Sequence, residues 1–465
     1  MRHPTDWDSF TDHLNLAANQ LPSPASDPDS AYSAWCTAIL AAAKKTIPRG
    51  CRAGLIPTWD DECQQLYDHF LSATSGAEAN ERAVTLTKAL DEKRRNRWET
   101  STENINFSHS SRTAWQSFNR LTGRAKKTQP CSVSANAIAS KLIANGRHAN
   151  VDKQVSRDVN AEIARLRAGT SSARGSLSEP FSAEEMTAAV KCIKPGKAQG
   201  PDKIAPEFIT HCGSHMLTWL RDFFSQCMST LRLPKIWRRS EIIAILKPKK
   251  PADDAKSYRP ISLLCVPLKL LERLLLARLE PVIDPQLPPQ QAGFRHGRST
   301  TDQVTLLTDD IEAGFEAKQK VGVVLVDLTA AYDTVWLRGL HLKLLRMVPD
   351  VHMVSLVMEL LTNRSFKLKT SDGQVSRLRR LRNGVPQGST LSPTLFNIYI
   401  SDIPQTTSMQ YGYADDLALL AADDSWEKVE ETLNHDMQAI TNYLQKWRLI
   451  LSTAKTTSTA FHLNN

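Results

Sequence analysis

The sequence predicts an α+β fold in which carboxylates stand at the ends of sheet strands. Three observations carry that expectation. Helical periodicity dominates residues 1–160. Beyond residue 200, helices alternate with short β-rich runs. The apolar run 321–326 ends on Asp327, and two β-runs within 409–422 meet at Asp415 and Asp416. With 465 residues, 41% of them hydrophobic and 23% charged, the chain can bury a core, which excludes disorder throughout.

Taken in order, 35–45 is an Ala-rich helix, 59–71 a second that opens on acids, and 80–104 a third bearing Lys93, Arg94, Arg95 and Arg97. Trp115, Phe118 and Leu121 recur at helical spacing, with Arg124, Lys126 and Lys127 behind them. An apolar inner stripe accounts for these, nucleic-acid contact being the alternative. Gly, Ser, Thr and Arg crowd 168–178, which marks a linker and a boundary near 175. Ser182-x-x-Glu185 is a capping box that opens a helix to about Ile193. Further strands are expected at 241–246 and 321–326, and helices at 266–279, 391–403 and 427–447. The segment 409–422 reads as a hairpin.

Net charge is +9, and its distribution is uneven. Residues 231–260 hold nine Lys or Arg against three acids, so +6 sits in thirty residues. Such a patch suits phosphate contacts, with a solvated basic face as the alternative. The eight cysteines, at 36, 51, 63, 131, 192, 212, 227 and 265, form no C-x-x-C pair, so reduced thiols rather than zinc sites or disulfides are expected. The polar start and the lack of an eighteen-residue apolar run predict an intracellular protein without a signal peptide or membrane span.

A carboxylate at the tip of a buried strand is costly unless a partner neutralises it. Adjacent strand residues point to opposite faces, so Asp415 and Asp416 can serve one site only at a turn. Together with Asp327 they would repel one another without cations between them, and hard oxygen donors suit Mg²⁺. Taken singly, an Asp-Asp pair is an ordinary solvated turn, and Asp333 an ordinary helix N-terminal acid. Between them, Asn383-Gly-Val-Pro-Gln-Gly-Ser389 opens a helix, where backbone N–H groups attract phosphate and glycines permit close approach. A plain loop with a cap is the alternative there.

Six strings stand in order: Gly196-Lys-Ala-Gln-Gly-Pro-Asp202, Ser257-Tyr-Arg-Pro-Ile-Ser262, Gln291-Ala-Gly-Phe-Arg-His-Gly-Arg298, Val326-Asp-Leu-Thr-Ala-Ala-Tyr-Asp333, Gly384-Val-Pro-Gln-Gly-Ser389 and Tyr413-Ala-Asp-Asp416. This series resembles the reverse transcriptase of non-LTR (LINE-type) retrotransposons and is similar to the jockey/CR1-like group. The resemblance implies a right-hand polymerase over 176–465, with fingers and an antiparallel palm sheet, behind a mostly helical, linker-like region 1–175. It implies RNA-directed DNA synthesis, by two-metal nucleotidyl transfer to a primer 3′-hydroxyl. Two Mg²⁺ ions, replaceable by Mn²⁺, an RNA template, a DNA primer or target and deoxynucleoside triphosphates are the implied cofactor and partners.

Residue by residue, the resemblance gives Asp327, Asp415 and Asp416 the metals, with the Leu328 carbonyl as a further ligand. It makes Tyr332 a steric gate against the ribose 2′-hydroxyl. Gln387 and Gly388 would line the nucleotide pocket, Lys247 and Arg259 would meet the triphosphate, and Lys455 would protonate pyrophosphate. Phe294 and Arg295 would grip the template. Ala330 and Ser452 depart from the family's usual Lys and Asn. The chain is expected to lack a thumb and an endonuclease, as a truncated copy or a fragment of a longer polyprotein would. A viral RNA polymerase and an intron maturase fit the strings less well, and a catalytically silent nucleic-acid-binding remnant is the alternative from another class.

Overall fold

The computed structural model describes residues 6–47, 58–103, 131–147, 152–169, 175–248 and 250–463, together with positions 115, 118, 119 and 122. The chain divides into two compact units. One takes in residues 1–13 and 41–129, the other 14–40 and 130–465.

In the smaller unit, helix Asp61–Leu71 packs on helix Gly76–Glu103. Asp60 caps the first by accepting the Cys63 N–H, and Lys93 of the second reaches back to Asp60 at 2.6 Å. The expectations at 59–71 and 80–104 thus meet helices of nearly the same bounds. Of the aromatic stripe, Leu121 lies outside the described residues, as do Arg124, Lys126 and Lys127.

The larger unit holds two four-stranded sheets. Its strands are β1 (Arg239–Leu246), β2 (Tyr258–Leu263), β3 (Lys320–Val326), β4 (Arg364–Lys369), β5 (Arg379–Leu381), β6 (Met409–Tyr413), β7 (Asp416–Asp423) and β8 (Thr457–Phe461). The first sheet runs β2-β1-β4-β5 and mixes one parallel pair, β1 with β4, among antiparallel ones. Helix Ala135–Asn145 lies on it, burying Ile138, Ala139 and Leu142 against Ile242, Ala244, Phe366 and Leu368.

The second sheet, β6-β7-β3-β8, is antiparallel throughout. On one face Leu307 and Ile311 of helix Thr300–Glu316 cover Val321, Val323 and Leu420. On the other lies helix Trp426–Lys446, which comes so close at Gly322 that a Cβ there would stand 2.6 Å from Val429. The mixture of helices and antiparallel sheet is the α+β class that the alternating pattern predicts.

The capping box is present in both directions, Ser182 accepting from Glu185 N–H and Glu185 from Ser182 N–H. Its helix stops at Lys191, two residues early, because Lys194–Pro195–Gly196 cannot continue it. The Pro404-terminated helix likewise ends early, at Ile400. The seven described cysteines are all free thiols. Among the described residues no helix is long and apolar enough to cross a membrane.

Candidate active site

The site grows from the antiparallel pair β3–β7. Their ladder ends with Val326 opposite Leu417, so the next residues outward are Asp327 and Asp416. Strand β6 pairs Tyr413 with Asp416, which leaves Ala414 and Asp415 as a two-residue turn. Ala414 takes the left-handed conformation, φ +59°, that lets so short a turn reverse the chain.

A strained turn needs bracing, and Gln291 provides it. Its buried side-chain amide accepts the Ala414 N–H at 2.9 Å, donates to the Ala414 carbonyl at 3.1 Å and also accepts the Gly293 N–H at 2.8 Å. Gly293 passes so near that a Cβ would lie 2.1 Å from Ala414 N. The sequence offered Gln291 only as part of a string; nothing in its residue type announces a partner 123 positions away.

Behind Asp327, residues 327–329 pair with 450–452: Ser452 N–H donates to Asp327 O and Thr329 N–H to Ile450 O, both at 2.8 Å. Leu328 makes a bridge with Leu451. The turn that follows returns Lys455, whose Nζ meets the Asp327 carboxylate at 2.8 and 3.0 Å. Asp416 sits above the usual carboxylate range, first through burial and then through the charges of Asp415 and Asp327, with Lys455 opposing. The three carboxylates therefore share one field.

That donor set, all carboxylate oxygen, is of the kind that hard divalent cations take. As the side chains stand, Asp327 is turned to Lys455. Among the described residues no three His, Cys, Asp or Glu side chains are grouped to hold an ion.

Tyr332 stands beside this field: burial and the Asp415 charge push its phenol above the ordinary value. Its ring stacks on Phe396, 5.1 Å between centroids, which fixes its direction. Its neighbour Asp333 is raised to about 6 by burial, while the Asn145 and Gln387 amides donate to it at 3.3 Å. By sequence alone Asp333 is an ordinary helix N-terminal acid; the structure makes it a link between helix Ala135–Asn145 and the glycine loop.

Gln387 and Gly388 lie in that loop, and Gln387 lines a cleft together with Asp333, Arg364 and Glu272. The loop is pinned to β2, since Ser262 N–H donates to Gln387 O at 2.8 Å. Gly388 has φ +128°, and a Cβ there would stand 2.5 Å from Ser262 O.

Strands β1 and β2 bring up the cations. Ile245 pairs with Arg259 and Lys247 N–H donates to Ser257 O, so Lys247 and Arg259 share a face. Burial lowers the Lys247 ammonium, and the Lys455, Arg259 and Lys250 charges lower it further. Lys247, Arg259 and Lys455 thus form one positive cluster beside the carboxylates.

Phe294 is 51% exposed, φ +60°, with its ring tilted toward Tyr413 at 6.5 Å. Arg295, the other residue expected on a template, is held by the protein's own groups. Its guanidinium pairs with Asp284 at 2.7 Å and donates to the carbonyls of Asp284, Pro288 and Gln291. The adjacent positions differ because Phe294 adopts the left-handed turn that sends consecutive side chains apart.

Residues 246–462 match the family described as reverse transcriptase (RNA-dependent DNA polymerase). The probable RNA-directed DNA polymerase from transposon BS of Drosophila melanogaster is 30% identical over 296 residues, which cover 61% of this chain and 32% of that protein. The RNA-directed DNA polymerase from mobile element jockey of Drosophila funebris is 31% identical over 294 residues, with the same coverage of 61% and 32%. For the probable polymerase from transposon X-element of Drosophila melanogaster the identity is 27% over 292 residues. The chain spans about a third of the length of the curated relatives it matches.

Proposed function

Because residues 246–462 belong to the reverse transcriptase family, of the non-LTR retrotransposon kind, we propose that the chain carries RNA-directed DNA synthesis. The reaction is attack of a primer 3′-hydroxyl on the α-phosphate of a deoxynucleoside triphosphate, with pyrophosphate leaving. One observation carries this reading: the β6–β7 turn places Asp415 and Asp416 at the open end of β3, beside Asp327. In it, the antiparallel sheet β6-β7-β3-β8 serves as palm, and β1 and β2 belong to the fingers.

Two divalent cations, Mg²⁺ or Mn²⁺, held by Asp327, Asp415, Asp416 and the Leu328 carbonyl, would supply stabilisation of charge on the attacking and leaving oxygens. The chain's own residues do the rest. Lys247 and Arg259 bind the triphosphate, where Arg can hold phosphate bidentately. Tyr332, braced by Phe396, fills the space a ribose 2′-hydroxyl would need. Gln387 and Gly388 offer an amide and close backbone to the base and sugar. Lys455, already against the carboxylates, is placed to give its proton to pyrophosphate. Phe294 offers an exposed ring to the template.

The test is primer extension on an RNA template by the purified chain, beside Asp415→Ala. We expect the substitution to abolish extension; equal extension by both proteins rejects the assignment of the carboxylates. A second reading, nucleic-acid binding without synthesis, draws on the Lys455 ammonium held on Asp327. It is favoured if the unmodified chain binds RNA yet extends no primer.

A further inference from the structure

Helix Val266–Ile283 turns a face of Leu270, Leu271, Leu274 and Leu275 inward, and among them it buries one acid, Glu272. This residue is 4% exposed. A carboxylate so placed is costly unless donors meet it. Two do, both from the glycine loop: the Ser389 hydroxyl and the Thr390 N–H, each at 2.7 Å. The Ser389 oxygen in turn accepts the N–H of Leu391 at 3.1 Å and of Ser392 at 3.3 Å, at the start of helix Ser392–Ile400.

The other end of the loop is held by a buried guanidinium. Arg364, 7% exposed, donates to the carbonyl of Asn383 at 2.9 Å and to that of Gly384. Between these anchors, Gln387 and Gly388 press on β2 through Ser262. Glycine restricts the backbone least, so this middle stretch keeps its shape only if its ends are fixed. A carboxylate suits that task better than a hydroxyl, because its two oxygens take a side-chain and a backbone donor at once.

Resting on the polymerase reading above, we propose that Glu272 is a positioning residue for the incoming nucleotide. By holding Ser389 and Thr390, its carboxylate fixes the backbone of Gln387 and Gly388 against β2. It touches no substrate itself.

The experiment uses the full chain on an RNA template annealed to a DNA primer ended with a dideoxynucleotide, so that no bond forms. The complementary deoxynucleotide is titrated in with Mg²⁺. Glu272→Ala should raise the nucleotide Kd about tenfold, the factor one charge-assisted hydrogen bond is worth. It should leave the affinity for the RNA–DNA duplex within about twofold, since phosphate contacts dominate that binding. Glu272→Gln, which keeps a carbonyl for the Thr390 N–H, should recover most of the nucleotide affinity. Amide hydrogen exchange over 387–391 should quicken in Glu272→Ala and not in Glu272→Gln. Should Glu272→Ala fail to fold, Ser389→Ala, which removes one of the two donors, carries the same comparison.

Unchanged nucleotide affinity, or parallel loss of nucleotide and duplex affinity with exchange quickened throughout, overturns the proposal. Failure of the unmodified chain to bind nucleotide overturns the polymerase reading, and shows before any variant is compared.

Discussion

Lys343 is the residue whose charge is most at odds with its surroundings. Its side chain, 2% exposed on helix Leu337–Met347, donates to the Tyr443 hydroxyl at 3.0 Å, to the Tyr399 carbonyl and to Asp402. The ammonium lies 3.8 Å from the centre of the Trp447 ring. Burial outweighs the Asp402 carboxylate and pulls the amine down to about 7 from its ordinary 10.5. Between those values the unfolded chain binds a proton that the folded chain does not, so stability rises with pH. We expect the urea midpoint of the unmodified chain to gain on that of Lys343→Met between pH 7 and 9. Parallel midpoints across that range would show that Lys343 stays charged when buried. No sequence pattern pointed to this amine, since an isolated Lys within an apolar helix is ordinarily an outward one.

At the scale of elements, the site depends on the β6–β7 turn more than on either strand. The Gln291 amide satisfies both polar groups of Ala414, which holds the turn in a conformation that alanine alone disfavours. Gln291→Ala should cut primer extension about a hundredfold, the usual result of shifting catalytic groups by an ångström. RNA affinity should stay unchanged, and extension at the unmodified rate would show that the turn holds itself. The hairpin was legible because two β-runs flank a pair of acids. So was β3, whose short, β-branched apolar run is consistent with a buried strand. Strands β2, β4, β5 and β8 were not. Arg364-Ser-Phe-Lys-Leu-Lys369 alternates, but Arg364 is a buried charge, and Thr457–Phe461 is a largely exposed edge with no apolar face to read. For the same reason Glu272, Gln291 and Arg364 escaped notice: polar residues that brace a site look like surface residues until the partner is known.

Across the whole molecule, the basic run 231–260 separates into two kinds of charge. Arg232, Lys235 and Arg238 pair with Asp27, Asp29 and Glu359. Arg239, Lys250, Lys256 and Arg259 lie exposed and Lys247 is half-buried, while Lys249 falls outside the described residues. Only the second group is placed to release counterions on binding. Replacing Lys247, Lys250 and Arg259 with Gln should lower the salt slope of single-stranded RNA binding by about 2, roughly 0.7 per phosphate contact. Replacing Arg232 and Lys235 should leave the slope alone. Equal slopes in the first variant and the unmodified chain would return the patch to a solvated face. The sequence located the patch by counting; which charges the protein itself consumes depended on acids more than a hundred positions away.

The crossing of Gly293 over Ala414 has a consequence for how freely this protein can vary. Where two backbones touch with no side chain between them, neither bulk nor length can be added on either side. A saturation library should accept almost nothing at position 293, and no insertion between Tyr413 and Asp416, even in variants selected only for folding. The loop around Gly373, by comparison, has open space and should accept added length, though a side chain at Gly373 itself would strain a backbone at φ +89°. The β6–β7 turn is thus rigid in its tolerance of change as well as in its geometry, and drift has to pass around it.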